Sequence, residues 1–258
     1  MKRKIVALMA FFVLSVSCSN NDDESGTNLD RNSVANNRKS LGTSAHDLLA
    51  ADIFKSMVIE VAYVQGYEPS DTAINNLIVF LNDRANKPLG ISIIKTPIAA
   101  SGKTTFTNQD IIAIEDANRT KYNTSDQIAV WAFFVDGDSS SNTSTSYVLG
   151  TAYRNTSFVI FEKTVHKLSD SQFEPNRSLL ETTVIEHEFG HLLGLTNLGS
   201  KMQTNHEDTA HPKHCNVESC LMFWESESGN NIGNMVSAGT LPKLDAQCIA
   251  DLRANGGK

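Results

Sequence analysis

Short apolar runs alternate along the chain with polar breaks marked by glycine and proline, the rhythm of a domain in which strands and helices take turns. Met57 to Val64 (MVIEVAYV) is apolar and β-branched enough for a buried strand, closed by Gly66, Pro69 and Ser70. From Asp71 to Arg84, Ile74, Leu77, Ile78 and Leu81 recur at helical spacing. Ile91 to Ile94 predicts a strand, Thr107 to Tyr122 a helix with Asp110 in its first turn, and Ile128 to Val135 (IAVWAFFV) a continuous apolar strand for the sheet centre. Tyr147 to Tyr153 and Phe158 to Phe161 predict two further strands joined by Arg154-Asn155-Thr156, one of them an edge. The polar stretch Asp136 to Asn142 between strand-like runs reads as a loop. A long helix follows from about Ser178 to Leu193, so the order β-α-β-α-β-β-β-α predicts a mixed α/β (α+β) sheet carrying helices.

The N-terminus follows a different rule. Lys2, Arg3 and Lys4 precede the apolar run Ile5 to Leu14, and small residues then lead to Cys18. That is a secretory signal, and a cysteine at the cleavage point resembles a bacterial lipobox, in which the thiol is lipidated. Ser19 to Glu24 (SNNDDE) is similar to the acidic export signal of Bacteroidota surface lipoproteins, which implies an exported protein anchored to the outer membrane and facing outward. Residues 18–45 hold few large apolar side chains and read as a flexible tether, which leaves 1–17 as signal peptide and 46–258 as one domain. No other stretch approaches the roughly 20 apolar residues of a membrane-spanning helix, so the membrane is reached only through the lipid. With 22 Lys and Arg against 29 Asp and Glu, net charge −7, no basic field exists for a nucleic acid.

The long helix carries His187-Glu188-Phe189-Gly190-His191, an HExxH. Positions i and i+4 share one helix face, so His187 and His191 can reach one metal ion while Glu188 projects beside them as a base. A hydrolytic zinc site takes three protein ligands and leaves a fourth position for water. Gly194, three residues after His191, can adopt positive φ and turn the chain back towards the metal. Five of the seven histidines lie between 187 and 214, which leaves His206, His211 and His214 as donors for the third position.

At these residues the chain resembles the metzincin metallopeptidases, whose pattern runs HExxHxxGxxH before a Met-turn. Their third histidine falls on Asn197 here, a poor zinc ligand. The resemblance is closer to archaemetzincins, which place that histidine directly before Cys-x4-Cys-x-Met, an arrangement matched by His214-Cys215 through Cys220-Leu221-Met222. It implies His214 as third ligand, Met222 as the Met-turn residue and a net insertion of 17 residues before His214. His206 stands as the alternative ligand. The likeness also implies a five-stranded mixed sheet whose edge strand, Tyr147 to Tyr153, aligns an extended peptide, and a small C-terminal subdomain. A plain shielded edge is the competing reading of that strand.

In archaemetzincins a second zinc is held by Cys-x4-Cys and a later Cys-x2-Cys. The later element here is Cys248-Ile249-Ala250-Asp251, with Asp251 where the fourth cysteine would be. Two readings stand for Cys215, Cys220 and Cys248: a structural zinc site completed by Asp251, or a disulfide between two of them in an exported protein. His166 and His46 read as surface residues, and Trp131, Phe133 and Phe134 as sheet core; Trp224 either packs beneath the metal or lines a pocket.

Two classes of function follow. One is a zinc-dependent metallopeptidase, endo- or exopeptidase, that hydrolyses peptide or protein substrates with Glu188 as general base, one catalytic Zn2+ and room for a second, structural one. The other is a non-catalytic surface binding lipoprotein that retains the fold, for which Asn197 is the main support. A zinc hydrolase of non-peptide amides shares the same motif.

Overall fold

Strand β1 (Ser56–Val64) is buried along almost its whole length and lies between two parallel neighbours, β2 (Ile91–Ile98) and β4 (Gln127–Phe134). The computed structural model describes residues 32–169, 171, 175–229 and 240–258; the signal segment and Cys18 lie outside the described residues. β7 (Ser157–Ile160) adds in parallel to β4, and β6 (Gly150–Arg154) closes the sheet antiparallel to β7, giving the order β2-β1-β4-β7-β6. A small pair, β3 (Thr105–Phe106) with β5 (Asp138–Ser139), stands apart. The fold is thus a mixed α/β architecture on a five-stranded, mostly parallel sheet with β4 at its centre.

β4 reads as unbroken apolar sequence because both its faces are covered. Ile128, Val130, Ala132 and Phe134 join one core layer, while Trp131 and Phe133 join the other. Helix α2 (Asp71–Arg84) and the long helix α5 (Arg177–Leu192) pack together over the first face, with Phe158 of the sheet meeting Phe189 edge-on at 6.1 Å. Helix α3 (Asn108–Asn118) opens on a Thr107/Asp110 capping box and covers the second face with Ile111. Short helices α1 (Ala45–Leu49) and α4 (Glu162–Lys167) and the C-terminal α6 (Ala246–Ala254) complete the described set. The C-terminal part shares the main core: Cys215, Leu221, Met222 and Leu252 belong to the same apolar cluster as β1 and α5.

β2 runs on to Ile98 where a strand ending at Ile94 was expected, and Asp138–Ser139 of the expected loop pair with β3; three further boundaries differ from the sequence expectation. The helix predicted to Tyr122 ends at Asn118, because Arg119 turns its guanidinium inward to Glu115 at 2.7 Å and the backbone N–H groups of Thr120 and Lys121 donate to buried Glu60 at 2.9 and 2.8 Å. The strand predicted from Tyr147 starts at Gly150; residues 147–149 are paired on their outer side with 227–229, through Leu149 N to Glu227 O at 3.0 Å and Gly229 N to Tyr147 O at 2.8 Å.

The third concerns the tether. Residues 32–45, expected to be flexible, fold against the sheet. The fully buried Asn37 donates to Asn123 Oδ1 at 2.8 Å and to the Ala129 carbonyl at 3.0 Å, and accepts from Asn123 N at 3.1 Å. Asn155 in turn donates to Asn36 O and Ser44 Oγ at 2.7 and 2.8 Å. Buried amides hold this segment, and a count of apolar side chains does not register them.

Asn37→Ala should strand several of these partners in the interior and lower stability by about 2–4 kcal/mol. Denaturant unfolding measures it, and a loss below about 0.5 kcal/mol would show that the segment is not anchored this way.

Candidate metal centre

Helix α5 is buried along most of its length, so the face that carries its two histidines points into the protein. The rings of His187 and His191 meet edge-on with centroids 4.7 Å apart. The helix then ends: Leu193 is its last helical residue by backbone geometry and Gly194 takes φ 80°. A Cβ at Gly194 would stand 2.5 Å from Ser200 N and 2.6 Å from Ala45 Cβ, so the turn is built for glycine.

The inserted segment leaves and returns. Its two limbs are tied by Asp208 N to His214 O at 2.8 Å, Asn216 N to His206 O at 2.8 Å and a bridge between Glu207 and Cys215. The return brings His214 to the helix pair, its ring 5.3 Å from His187 and 5.2 Å from His191. His206 goes elsewhere: it is buried with Nε2 on Asp251 at 2.7 Å and Nδ1 3.4 Å from Cys215 Sγ. His211 stacks on Trp224 at 4.2 Å, and Asn197 donates to Glu207. Among the four residues considered for the third position, His214 is therefore the one that the structure places with His187 and His191.

The support around these imidazoles fixes their chemistry. His187 Nδ1 lies 2.8 Å from the Leu221 carbonyl, which holds the proton on Nδ1 and leaves Nε2 as a lone-pair donor. Met222, next in sequence, passes beneath the helix where Gly190 leaves room; a Cβ there would sit 2.3 Å from its Sδ. Burial holds His187 down to about 4 and His191 well below the ordinary imidazole range, so both are neutral, the form a metal takes. Glu188 is fully buried beside Gly150 of β6, where a Cβ would stand 2.6 Å from its Oε1. Burial first, then the charge of Glu227, pushes its carboxyl well up. Among the described residues of this centre, His187 Nε2 and both Glu188 oxygens are buried without a hydrogen bond, and His214 Nε2 faces a Glu227 oxygen 3.2 Å away. Three imidazoles whose rings converge on one point, two of them held neutral by burial, fit a zinc ion. A cleft of about 270 Å3 opens over this point, lined by Gly150, Thr151, Ala152, Glu188, His191 and His214.

Glu227 was not expected. It follows Met222 by five residues in a 3-10 turn (Trp224–Glu227) and joins the three histidines in one donor group whose atoms all lie within 4.8 Å of one another. Its Oε1 is 3.2 Å from His214 Nε2, and its Oε2 is 3.8 Å from His187 Nε2 and 3.9 Å from His191 Nε2. Burial opposes its ionisation, yet His214 and the neighbouring imidazoles hold its carboxyl down to about 2. The one signal in the sequence is the acidic Glu225-Ser226-Glu227 after the methionine.

A second donor group joins Cys215, Cys220 and Cys248, but its carboxylate is Asp245, not Asp251. Asp245 caps α6, accepting from Cys248 N at 2.8 Å, and its other oxygen lies 3.5 Å from Cys215 Sγ; Asp251 is taken by His206. The capping position three residues before Cys248 was the available clue. The thiols are not joined: Cys220 Sγ and Cys248 Sγ are 3.7 Å apart, and donors from Cys215 and Cys248 hold the Cys220 thiol down to about 4. Three sulfurs and a carboxylate in this arrangement suit a tetrahedral zinc.

His166, read as a plain surface residue, instead stacks on Tyr67 and lies 3.2 Å from buried Glu162, which with Glu181 makes a third group. Burial and the nearness of Glu181 push the Glu162 carboxyl well up. Trp131, Phe133 and Phe134 are buried in the sheet, and His46 is exposed between Asn255 O and Asp52.

Fold and donor sets define the class: an α/β protein with a buried group of three histidines and Glu227 that could hold a metal ion, and a separate cysteine group that could hold another. No family model matches the chain, and no curated protein does. Among solved structures, the crystal structure of archaemetzincin from Methanopyrus kandleri is similar to it, with a TM-score of 0.49 and 15 % sequence identity over 78 % of this chain and 96 % of that one. At that level of likeness the site stands on its own residues.

Metal content of purified protein separates the two donor groups. His187→Ala should lose one metal equivalent and keep the cysteine-bound one, whereas Cys220→Ser should do the reverse; identical metal content in both variants and the wild type would contradict the assignment.

Proposed function

We propose that the protein is a zinc-dependent metallopeptidase that hydrolyses peptide bonds in the cleft between β6 and helix α5. The observation that carries the reading is the convergence of three buried imidazoles beside the buried carboxylate of Glu188, under the edge strand β6. Zinc bound there would polarise the scissile carbonyl and bring the pKa of a water towards about 7.

The chain's own residues supply the rest. His187, His191 and His214 hold the ion, and the Leu221 carbonyl keeps His187 in the donor tautomer. Glu188 accepts the proton of the attacking water and returns it to the leaving amine. Gly150 lets the β6 backbone approach that carboxylate closely, so an extended peptide pairing with Gly150–Arg154 passes directly over it. The Gly190–Met222 contact sets the floor beneath the ligands.

The alternative, a surface binding protein without turnover, drew on Asn197. With His214 beside the other two histidines, Asn197 no longer favours it. Export and lipid attachment at Cys18 to the outer membrane belong to the same proposal and rest on the signal-like segment and the small residues before the cysteine.

Glu188→Gln should keep the wild-type metal content and lose at least about 100-fold in kcat/KM on a peptide library. Retained cleavage in this variant, or no cleavage by metal-loaded wild type, would overturn the peptidase reading. For the anchor, labelling with radioactive palmitate in the bacterial host should mark the wild type and not Cys18→Ala; equal labelling would remove Cys18 from that role.

A further inference from the structure

A zinc site that activates water keeps one coordination position free of protein. Here a fourth side chain reaches it. The Glu227 oxygens stand 3.2, 3.8 and 3.9 Å from the Nε2 atoms of His214, His187 and His191. Zinc–nitrogen distances of about 2.0–2.1 Å and zinc–oxygen distances of about 2.0–2.2 Å place neighbouring donors of a tetrahedron about 3.3–3.5 Å apart. The three separations bracket that value, whereas Glu188 is not part of the donor group. One carboxylate oxygen thus faces His214 and the other faces His187 and His191, so the carboxylate stands over the corner that the three imidazoles leave open.

The backbone brings it there by a second, independent contact. Cys215 N donates to Met222 O at 2.7 Å and fixes the chain before the 3-10 turn. After it, Glu227 O accepts from Leu149 N at 3.0 Å, Gly229 N donates to Tyr147 O at 2.8 Å, and Val148 and Ser228 form an antiparallel bridge. Residues 227–229 therefore pair with 147–149 along the rim that continues into β6, the edge on which an extended peptide would pair. A segment of this chain takes a peptide's place at one end of the cleft and offers its carboxylate to the metal.

We propose that Glu227 is a fourth protein ligand of the catalytic metal in the resting chain, and that it must leave that corner before water and the carbonyl of a peptide substrate can use it. The proposal rests on the metal-centre reading above. Glu227 is the movable member of the set: its side chain is 30 % exposed, against 0 %, 6 % and 11 % for His187, His191 and His214. It sits on a four-residue 3-10 turn, while His187 and His191 are fixed by a sixteen-residue helix. A carboxylate exchanges for another oxygen ligand by breaking one metal–oxygen bond and forming another, with no change in oxidation state.

The test uses the full chain loaded with Co2+, whose visible spectrum reports coordination, and azide as the small anion that competes for the open corner. Glu227→Gln keeps the shape of the side chain and removes the anionic ligand; Glu227→Ala removes the side chain, and circular dichroism checks that both remain folded. Relative to the wild type, both variants should hold Zn2+ at least about tenfold more weakly in chelator competition, change the Co2+ spectrum, and bind azide at least about tenfold more tightly. His187→Ala serves as reference. If it loses the metal while both Glu227 variants match the wild type in metal and azide affinity, the fourth-ligand proposal falls and the metal centre stands. If His187→Ala binds metal as the wild type does, the metal-centre reading falls and takes the proposal with it.

Discussion

The candidate metal centre gathers polar atoms that have been taken out of water and given no hydrogen bond. His187 Nε2 and both oxygens of Glu188 are buried in that condition. Each such group costs about 1–3 kcal/mol, and several together are comparable with the whole stability of a domain, about 5–15 kcal/mol. A fold keeps such a cluster where a ligand resolves it. A divalent cation does so for neutral imidazoles, and it makes an adjacent carboxylate useful as a base.

The scaffold explains why the cluster survives without collapsing. The parallel strands β1, β4 and β7 form a floor covered on both faces, with β2 half-exposed at its edge, and helix α5 lies across it, fixing His187 and His191 at one spacing. The chain beyond Gly194 then has to return, and its two limbs bond to each other on the way, so His214 arrives on a closed loop and not on a free end. The Leu221 carbonyl on His187, Met222 under Gly190 and two of the three clustered cysteines, Cys215 and Cys220, all belong to one stretch of chain, 214 to 222. One segment therefore supplies a ligand, orients another and anchors itself through its thiols.

The sequence showed what periodicity and spacing can carry. Buried strands such as β1 and β4 are legible because both faces are apolar, and α2 because its apolar residues recur on one side. The HExxH pair is legible because the helix itself fixes its geometry. Long-range returns of the chain were harder. His214 was separable from His206 only by its place before the cysteines, and Asp245 was missed because it joins the cluster through a helix cap, not through the Cys-x2-Cys spacing that pointed to Asp251. Glu227 was missed because nothing in a run of Glu and Ser reveals which carboxylate a turn will aim inward. Residues 32–45 looked like a tether because composition weighs apolar side chains, whereas Asn37 is held by amide hydrogen bonds.

The proposed function requires that His187, His191 and His214 share one metal ion. Crystals of the zinc-loaded protein, with anomalous diffraction collected at the zinc edge, test it most directly. The account predicts a peak about 2.0–2.1 Å from the Nε2 atoms of all three histidines, and a second peak among Cys215, Cys220, Asp245 and Cys248. Zinc bound by only two of the three histidines, or bound with His206 in place of His214, would contradict it.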